Sequence, residues 1–348
     1  MKVLWFLLPC VHAILIKNPL RMSQSPPPPP AVWTYLSSHL KDTARNWFIG
    51  RAEKAGVPWS ESVARCSDEY SRMSLDMWKR RLENVHLDYP RYFLQPFHGY
   101  DKGNMEWKAA LEGEAATWSI TSHYWEKTDP FDAERWMRYN VSQHIRHYCK
   151  SHHVPVESLK CIVDLGCSVG ISTEYLTQSF RGGKRYIGVD LSPYFVAMAA
   201  HRADKAGHDI NYIHANAECV PMQNNTCDLI TCNFLLHEVP HVAAKQIIKE
   251  ARRLLKPNGV LAIVDLDPHV LNDQLKLNPF RKWAFEVTEP HIHDYYQHDL
   301  GDCMCDHGFS NVEKRTNDPL NSVWLGKKNM VSVQTLPVRP LEYVFAMG

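Results

Sequence analysis

The chain has 348 residues, of which 45% are hydrophobic and 22% charged, a composition typical of a globular protein with a buried core. The 39 Lys and Arg residues nearly balance the 38 Asp and Glu residues, and the net charge of +1 argues against nucleic-acid binding as the main function. No apolar run reaches the length of about 20 residues that spans a bilayer, which excludes a polytopic membrane protein.

The first 41 residues contain neither Asp nor Glu. An apolar stretch over 3–16 is typical of a secretory signal, and the basic, Ser- and Pro-bearing segment after it is typical of a transit peptide. Together they predict a bipartite plastid address over residues 1–30. The alternatives are an address to the secretory pathway or ER, or a disordered leader without any address on a cytoplasmic protein.

Residues 31–155 are predicted to be helical, because apolar residues recur there at three- and four-residue intervals. A connection rich in aromatic residues and broken by Pro and Gly interrupts the pattern at 89–104. Eight of the eleven Trp residues lie between Trp33 and Trp136. Two interpretations stay open: ordinary packing of a helical layer, or a helical lid that gives a substrate an apolar wall.

From residue 156 onward, short apolar runs alternate with amphipathic ones, which predicts parallel strands joined by helices in one doubly wound α/β sheet. The predicted strands are 160–166, 185–192, 210–218, 227–239 and 260–268. The helix before the last of them is predicted over 243–259, with Asn258 and Gly259 closing it. The ligand of such a sheet binds beyond the carboxyl ends of the strands.

Three predicted strand ends carry residues suited to an adenosine-bearing ligand. Gly166 and Gly170 allow the backbone after the first strand to approach a ligand closely. Asp190 closes the second strand, where a carboxylate can accept hydrogen bonds from both hydroxyls of a ribose. Asn216 follows the third strand, where its amide can meet the edge of an adenine.

The GCSVG turn allows two other interpretations. It matches the nucleophile elbow of serine hydrolases with Ser168 as nucleophile, but the helical texture before residue 159 and the lack of an oxyanion-hole HGGG segment argue against that fold. It also resembles a dinucleotide-binding turn, although it has only two of the required glycines. Both are minor alternatives.

The ten cysteines are too few for a disulfide scaffold in a chain of this length. Cys303 and Cys305 form a CMC segment that could bind a metal, but no second pair of ligands stands nearby in the sequence. No metal is therefore predicted.

Taken in order, the segments VDLGCSVGIST, GVDLS, HANAECVP, CDLITCNFLLHEVP and RRLLKPNGVLAIVD resemble the motifs of class I S-adenosylmethionine-dependent methyltransferases. The nearest resemblance is to the type-11 branch, which includes methyltransferases of ubiquinone and menaquinone biosynthesis, and it covers about 156–330. The FHGYDKGNMEW and HEVP segments also resemble, more weakly, a subgroup of photosynthetic organisms. The implied fold is a Rossmann-like, seven-stranded, mostly parallel sheet whose last strand is antiparallel. FSNVEKRT and SVWLGKK would form the last two strands, and 331–348 a C-terminal tail.

The resemblance implies an S-adenosylmethionine site at the carboxyl ends of four strands. The loop after the first strand would line the methionine end of the cofactor with Asp164, Gly166, Cys167, Ser168 and Gly170. The nucleoside would contact Asp190 at the ribose, and Leu191, Asn216 and Ala217 at the adenine, with Asn233 beneath the cofactor. The middle glycine of the commoner GCGxG motif is absent here. A non-catalytic relative that keeps the fold and binds the cofactor is the alternative.

Methyl transfer to a hydroxyl or an acidic carbon needs a base near the methyl group. His237 and Glu238 follow the fourth strand and are the predicted catalytic residues. The predicted substrate-facing residues lie between the fifth strand and the next helix: Glu289, His291, Tyr295 and Tyr296. The same EPHIHDYY segment could instead be a plain helix start capped by Asp294. Because Lys and Arg are not clustered, the predicted partner is a small, partly apolar organic acceptor; the sequence leaves the oligomeric state open.

Overall fold

A computed structural model describes residues 45–122, 124–125, 128–276 and 289–329. The predicted leader, 1–30, and the predicted tail, 331–348, lie outside these residues. Within the described ranges, no helix combines the length and the apolar character that crossing a membrane requires. Most of the predicted helical region and the whole predicted sheet are described.

Seven strands form one sheet in the order β3-β2-β1-β4-β5-β7-β6. They are β1 Cys161–Leu165, β2 Arg185–Asp190, β3 Asn211–His214, β4 Cys227–Asn233, β5 Leu255–Leu266, β6 Phe309–Thr316 and β7 Asn321–Lys328. Strands β1 to β5 pair in parallel, whereas β7 is antiparallel to both of its neighbours, β5 and β6. The predicted fold class is confirmed, including the antiparallel last strand.

The order of the strands reverses at β1, which pairs with β2 on one side and β4 on the other. In register, Asp164 of β1 stands between Gly188 and Thr231. The chain therefore leaves β1 toward one edge of the sheet and later returns to the other side of the same strand. A crevice opens at such a point of reversal, beyond the carboxyl ends of the strands, and the predicted ligand residues lie there.

The described helices begin with a helical segment at 45–54, labelled α1. Those that follow are α2 Trp59–Ser67, α3 Glu69–Leu82, α4 Trp107–Thr121, α5 Pro130–Ser151, α6 Ile171–Ser179, α7 Pro193–Ala206, α8 His241–Leu254, α9 Pro268–Lys276, α10 Ile292–Tyr295 and α11 Leu300–Asp306. Three single turns of 3-10 helix lie at Arg91–Leu94, Val156–Ser158 and Leu236–Glu238.

Helices cover both faces of the sheet, so β1 is buried along its whole length. Ile145 of α5 belongs to the same buried cluster as Ile162, on one face. Ile247 of α8 lies with Leu165 in the cluster on the other face. An apolar strand without polar alternation is what a parallel sheet buried on both faces requires. The domain boundaries at 155 and 156 stay a prediction, and α5, which precedes them, packs on the sheet.

The N-terminal helices also reach the loops at the carboxyl ends of the strands. A Cβ atom added to Gly113 of α4 would lie 2.9 Å from Cγ1 of Val169, in the loop after β1. The hydroxyl of Ser192, which follows β2, donates a hydrogen bond to the carbonyl oxygen of Asn104 (2.5 Å). Helix α4 therefore lies against the predicted cofactor loop, and the lid interpretation of the helical region stays a prediction.

Two predicted helix bounds are wrong. Helix α8 ends at Leu254 rather than at Gly259, because Leu255 already pairs with Cys227 of the neighbouring strand. The segment DYYQHDLGDCMCDHG (294–308), which the sequence predicts as one helix, forms the end of α10 and a separate α11. The break lies at Asp299, whose carboxylate caps α11 by accepting a hydrogen bond from the N–H of Asp302.

Gly188 offers a direct test of the packing between β2 and β3. A Cβ atom there would lie 2.5 Å from the ring of Tyr212 and 2.9 Å from Sγ of Cys167, both in the buried interior. We expect Gly188→Ala to lower the free energy of unfolding by about 1–3 kcal/mol through overpacking, as measured by chemical denaturation. Gly182→Ala is the matched control, because its nearest neighbour would be the flexible Lys160 ammonium at 3.8 Å. Equal stability of the two variants would contradict this packing.

Candidate active site

The loop after β1 turns sharply into α6. Its backbone has positive φ at Gly166 (70°), Ser168 (49°) and Gly170 (86°). Gly170 cannot be replaced without strain, because a Cβ atom would lie 2.5 Å from the Tyr212 hydroxyl. The turn directs the N–H of Ser168 toward the end of β2, where it donates a hydrogen bond to Asp190 (2.8 Å). The first two strand ends are thus joined by a hydrogen bond.

The Asp190 carboxylate lies half-buried in this joint. Each of its oxygens accepts one backbone N–H, from Ser168 and from Ser192, both at 2.8 Å. Burial raises the pKa of Asp190 to about 6, although the two N–H groups act in the opposite direction. Because an ionised carboxylate can accept about four hydrogen bonds, two positions remain for a ligand. These two acceptor positions fit the two hydroxyls of a ribose, which would donate to them.

The Asp164 carboxylate has no hydrogen-bond acceptor position left for a ligand. Its side chain is fully buried and accepts four hydrogen bonds within the protein. The donors are Ser172 (2.5 Å), Thr173 (2.8 Å), Thr231 (2.8 Å) and Asn233 (2.9 Å). The predicted contact of Asp164 with the cofactor stays a prediction, and this geometry favours a supporting role beneath the loop.

Cys167 turns its side chain into the protein, whereas Leu191 is characterised by its burial and its backbone contact. The Cys167 thiol lies in the buried cluster formed by α7 and Tyr212, and this burial raises its pKa well above the usual value. Leu191 is buried, and its carbonyl oxygen lies 3.0 Å from Nε2 of His214. Only the backbone of Cys167 can therefore line a ligand site.

Asn216 and Ala217 follow β3 and are half-buried. The Asn216 side chain accepts a hydrogen bond from the N–H of Glu218 (2.9 Å) and donates one to its carboxylate (3.3 Å). The amide is thus held in its own turn, beside Asp190, whose carbonyl oxygen accepts the N–H of Ala215. The end of β3 therefore lies next to the end of β2, and the contact of both residues with adenine stays a prediction.

The end of β4 meets the loop after β1. Asn233 donates its side-chain hydrogen bond to Asp164, and Phe234 has a positive φ of 55° that turns the chain. Leu235 then lies against the loop, because a Cβ atom added to Gly166 would be 2.9 Å from it. This turn carries the predicted catalytic residues, which begin two residues later.

His237 is paired with a carboxylate that the sequence analysis did not select. Its Nδ1 lies 2.6 Å from Oδ1 of Asp265, at the end of β5. The other oxygen of Asp265 accepts the backbone N–H groups of Leu236 (2.9 Å) and His237 (3.3 Å). Burial acts to lower the pKa of His237, but the Asp265 carboxylate outweighs it and raises the value to about 9. With Nδ1 bonded to Asp265, Nε2 is the nitrogen that can exchange a proton with a ligand.

Two of the predicted residues, Glu238 and Glu289, both lie close to His98 of the N-terminal region. Nε2 of His98 lies 2.8 Å from Glu289 and 3.7 Å from Glu238. Burial and the charge of Glu289 raise the pKa of Glu238 to about 7, against the two neighbouring histidines. The same carboxylates raise the pKa of His98, although burial opposes them. His98 has the most exposed side chain of the three, at 36%.

The remaining predicted residues lie at the border of this cluster. Tyr295 is buried, donates to the carbonyl oxygen of Leu266 (2.6 Å) and places its ring edge-to-face with His237 at 6.2 Å. The ring of His291 lies edge-to-face with Tyr92 at 6.1 Å. Tyr296 follows α10 and is half-buried. Tyr295 therefore supports His237, and the contacts of His291 and Tyr296 with a substrate stay a prediction.

The alternative for this segment, a plain helix start, is right about the helix and wrong about its cap. Helix α10 begins at Ile292 after His291, and Asp294 lies inside it. The Asp294 carboxylate instead accepts the N–H of His241 at 2.7 Å, which ties α10 to the start of α8.

Neither the nucleophile-elbow interpretation nor the metal interpretation gains support. In the described ranges, no hydrogen bond links the Ser168 hydroxyl to a histidine, as a serine nucleophile requires. Over the same ranges, no group of three His, Cys, Asp or Glu side chains has the arrangement of a metal site. Cys303 is buried, with Sγ 3.7 Å from Nδ1 of His307.

Sequence reasoning missed Asp265 and His98. Asp265 closes a strand, as Asp190 does, so the rule that selected Asp190 could have found it. His98 lies in the aromatic connection at 89–104, more than a hundred residues from its partners in the sequence. Only its position in a Gly-rich, non-helical segment set it apart.

Part of the chain is similar in sequence to known methyltransferases. Residues 163–263 match a family model described as "Methyltransferase domain", which spans β1 through most of β5. An uncharacterized methyltransferase of Synechocystis sp. is 33% identical over 120 residues, covering 33% of this chain and 53% of that protein. A ubiquinone biosynthesis O-methyltransferase of Coxiella burnetii is 28% identical over 138 residues, covering 40% of this chain and 56% of that protein.

Among solved structures, the PH0226 protein from Pyrococcus horikoshii OT3 is 15% identical, with a TM-score of 0.44, over 58% of this chain and 93% of that one. The chain spans about half the length of the curated relatives it matches. The strand order and the matched family model support a class I S-adenosylmethionine-dependent methyltransferase domain in this part of the chain.

The pair of His237 and Asp265 has a measurable titration. Because the folded pKa of His237 is raised above the ordinary 6.5 to about 9, its stabilising effect is complete below pH 6.5 and is lost as the pH rises through 9. We expect the imidazole to titrate near pH 9 by NMR, and Asp265→Asn to lower that pKa and to flatten the pH dependence of stability. Asp306→Asn, at an exposed helical position, is the control. An unshifted His237 pKa in Asp265→Asn would rule out the pair as its cause.

Proposed function

We propose that this protein transfers a methyl group from S-adenosylmethionine to a small, partly apolar organic acceptor, and that it belongs to the type-11 branch. The observation that carries the proposal is the hydrogen bond from the Ser168 N–H to Asp190, at the point where the strand order reverses. It places a carboxylate with two free acceptor positions beside the loop after β1, in which Gly166 and Ser168 are half-buried. The matched segment, 163–263, contains this joint and the end of β4.

The cofactor would be held at the ends of β1 to β4. Asp190 would accept the ribose hydroxyls, and Leu191, Asn216 and Ala217 would border the adenine. The methionine end would lie against the backbone of Gly166, Cys167, Ser168 and Gly170, with Asn233 and Asp164 beneath it. When bound, S-adenosylmethionine supplies a methyl carbon that its sulfonium has already activated.

His237 and Glu238 would manage the proton of the acceptor. Asp265 fixes the His237 ring through Nδ1, so in the neutral imidazole, which forms as the pH rises through about 9, Nε2 can take a proton from a hydroxyl or another acidic group. Glu238, with a pKa near 7, is the second group that could do so. The burial of His237 (7% exposed) keeps bulk water from this end of the site.

The nature of the acceptor rests on the residues around His237. The Tyr295 ring packs edge-to-face on His237, Tyr92 packs in the same way on His291, and the polar groups of the cluster are carboxylates and imidazoles. A relative named for ubiquinone biosynthesis is consistent with a partly apolar acceptor. A large polyanion such as RNA would need a basic surface that this site lacks among the described residues.

We also propose that the leader is a plastid address and that the chain belongs to the subgroup of photosynthetic organisms. The acid-free, basic and Ser- and Pro-bearing composition of the first 41 residues supports the former, and the similarity to a Synechocystis protein is compatible with the latter. A fluorescent fusion of these residues that stays outside plastids would contradict the address and favour the ER or the cytoplasm.

Binding of S-adenosylmethionine by calorimetry tests the cofactor site. We expect Asp190→Ala to weaken binding by about 1–3 kcal/mol, because charge-assisted hydrogen bonds to the ribose are lost. Since Asp190 has a pKa of about 6, the affinity of the unaltered protein should fall as the pH falls through 6, and that dependence should vanish in the variant. Asp209→Ala, at an exposed position, should leave binding unchanged. Equal affinity in Asp190→Ala would remove the ribose assignment.

Turnover separates an enzyme from a binding relative. Incubation with isotopically labelled S-adenosylmethionine and a small-molecule extract should yield a product that has gained a methyl group, identified by mass spectrometry. We expect His237→Gln to reduce the rate by about 10²–10⁴-fold while cofactor affinity stays the same, because only the base is lost. Exposed His147→Gln should behave like the unaltered protein. Cofactor binding without any labelled product would favour the non-catalytic alternative.

A further inference from the structure

Five titratable side chains from four separate segments meet beyond the ends of β4 and β5. They are His98, His237, Glu238, Asp265 and Glu289, called here the acceptor cluster. Two pairs of it are in direct contact: His98 with Glu289 at 2.8 Å and His237 with Asp265 at 2.6 Å. The cluster combines side chains from the N-terminal region, from the strand ends and from the segment before α10. It therefore forms only in the folded chain.

Glu289 is incompletely satisfied within this cluster. Its residue is 6% exposed, and Oε1 accepts from His98. Oε2 is buried and has no hydrogen-bond partner among the residues that the structure describes. A buried carboxylate oxygen without a donor is costly, and native proteins rarely leave one unless a ligand or a water supplies the donor. Oε2 therefore marks a position that a hydrogen-bond donor should fill.

The segment that carries His98 is built to reach this position. His98 has a positive φ of 51°, which is uncommon for a residue with a side chain, and Gly99 follows with 82°. Phe97 and Tyr100 exchange two backbone hydrogen bonds around them (3.2 and 2.8 Å). Such local strain is kept where the surrounding structure uses it. Here it turns the imidazole of His98 onto Glu289 and thereby fixes the direction in which Oε2 points.

The charges of the acceptor cluster restrict what can bind. It holds three carboxyl groups and two imidazoles, and no Lys or Arg of the described chain forms an ion pair with any of the three. Both imidazoles are already engaged, His98 by Glu289 and His237 by Asp265, so an incoming carboxylate or phosphate would meet Glu238 and Glu289 without an unpaired cation to offset the repulsion. An ammonium or hydroxyl group would instead donate to the free oxygen.

We infer that the methyl acceptor of this protein carries an ammonium or hydroxyl group that donates a hydrogen bond to Oε2 of Glu289, and that the site rejects acceptors whose group at this position is anionic. The inference rests on the proposed function and narrows its substrate class. His98 is a positioning residue in it, because it holds Oε1 of the same carboxylate.

Three compounds that share one ring and differ in one group test this without the natural acceptor: benzylamine, benzyl alcohol and benzoate. Their binding is followed by chemical-shift changes of the His98 and His237 rings, in protein loaded with S-adenosylmethionine. We expect benzylamine or benzyl alcohol to bind at least about tenfold tighter than benzoate, a difference of about 1.4 kcal/mol. Glu289→Gln should abolish the preference for benzylamine but not for benzyl alcohol, because an amide oxygen still accepts from a hydroxyl. That contrast tells which of the two donors the site selects.

The controls separate this inference from the proposed function. Glu157→Gln, at an exposed position, should bind all three compounds as the unaltered protein does. Retained cofactor affinity shows that Glu289→Gln is folded, whereas failure of the unaltered protein to bind the cofactor would overturn the proposed function itself. With the cofactor bound, three results would overturn the inference: benzoate binding as tightly as the others, a donor preference that survives in both Glu289→Gln and Glu289→Ala, or no binding of any of the compounds.

Discussion

One buried carboxylate sets the geometry on which the candidate active site depends. Asp164 lies on β1, where the strand order reverses, and its four acceptor positions are filled from both sides. Ser172 and Thr173 approach it from α6, and Thr231 and Asn233 from β4. A charged group at zero exposure persists only when it is fully hydrogen-bonded, so these four donors are obligatory partners. The loop after β1 and the turn after β4 are therefore held in fixed relation to each other.

Two functional ends follow from this arrangement. On the β2 side, the fixed loop presents the N–H of Ser168 to Asp190. On the β5 side, the turn after β4 presents His237 to Asp265. Both acids lie at the carboxyl end of a strand. In each, at least one carboxylate oxygen accepts a hydrogen bond from a backbone N–H. The two acids differ in their partners. Asp190 keeps acceptor positions for a ligand, whereas Asp265 is paired with the imidazole of His237.

The sequence was sufficient for features that depend on neighbours along the chain. Apolar runs predicted the strands, and the strand-end rule found Asp190 because one acid after one strand needs no knowledge of the rest. The sequence prediction was wrong at the end of α8. Leu255 pairs with Cys227, so the helix ends four residues before the Asn258-Gly259 stop signal. Local helix signals could not show a competing strand partner. Tertiary pairing decided that boundary.

The same reason explains what was missed in the candidate site. His98 and Glu289 are separated by almost two hundred residues, and their contact exists only because the N-terminal helices lie over the strand ends. The sequence indicated that Glu289 belongs near a substrate, but not that one of its oxygens lacks a donor. Asp164 is the opposite case. Its motif indicated a contact with the ligand, but in the fold the protein itself fills all of its acceptor positions.

We propose that Asp190 and the glycine turn after β1 bind the two ends of S-adenosylmethionine. A crystal structure of the protein with S-adenosylmethionine measures this most directly. We expect the ribose oxygens to lie within hydrogen-bond distance of the Asp190 carboxylate. The amino-acid end of the cofactor should lie against the backbone at 166–170. Density for the cofactor at any other place, or its absence at saturating concentration, would contradict it.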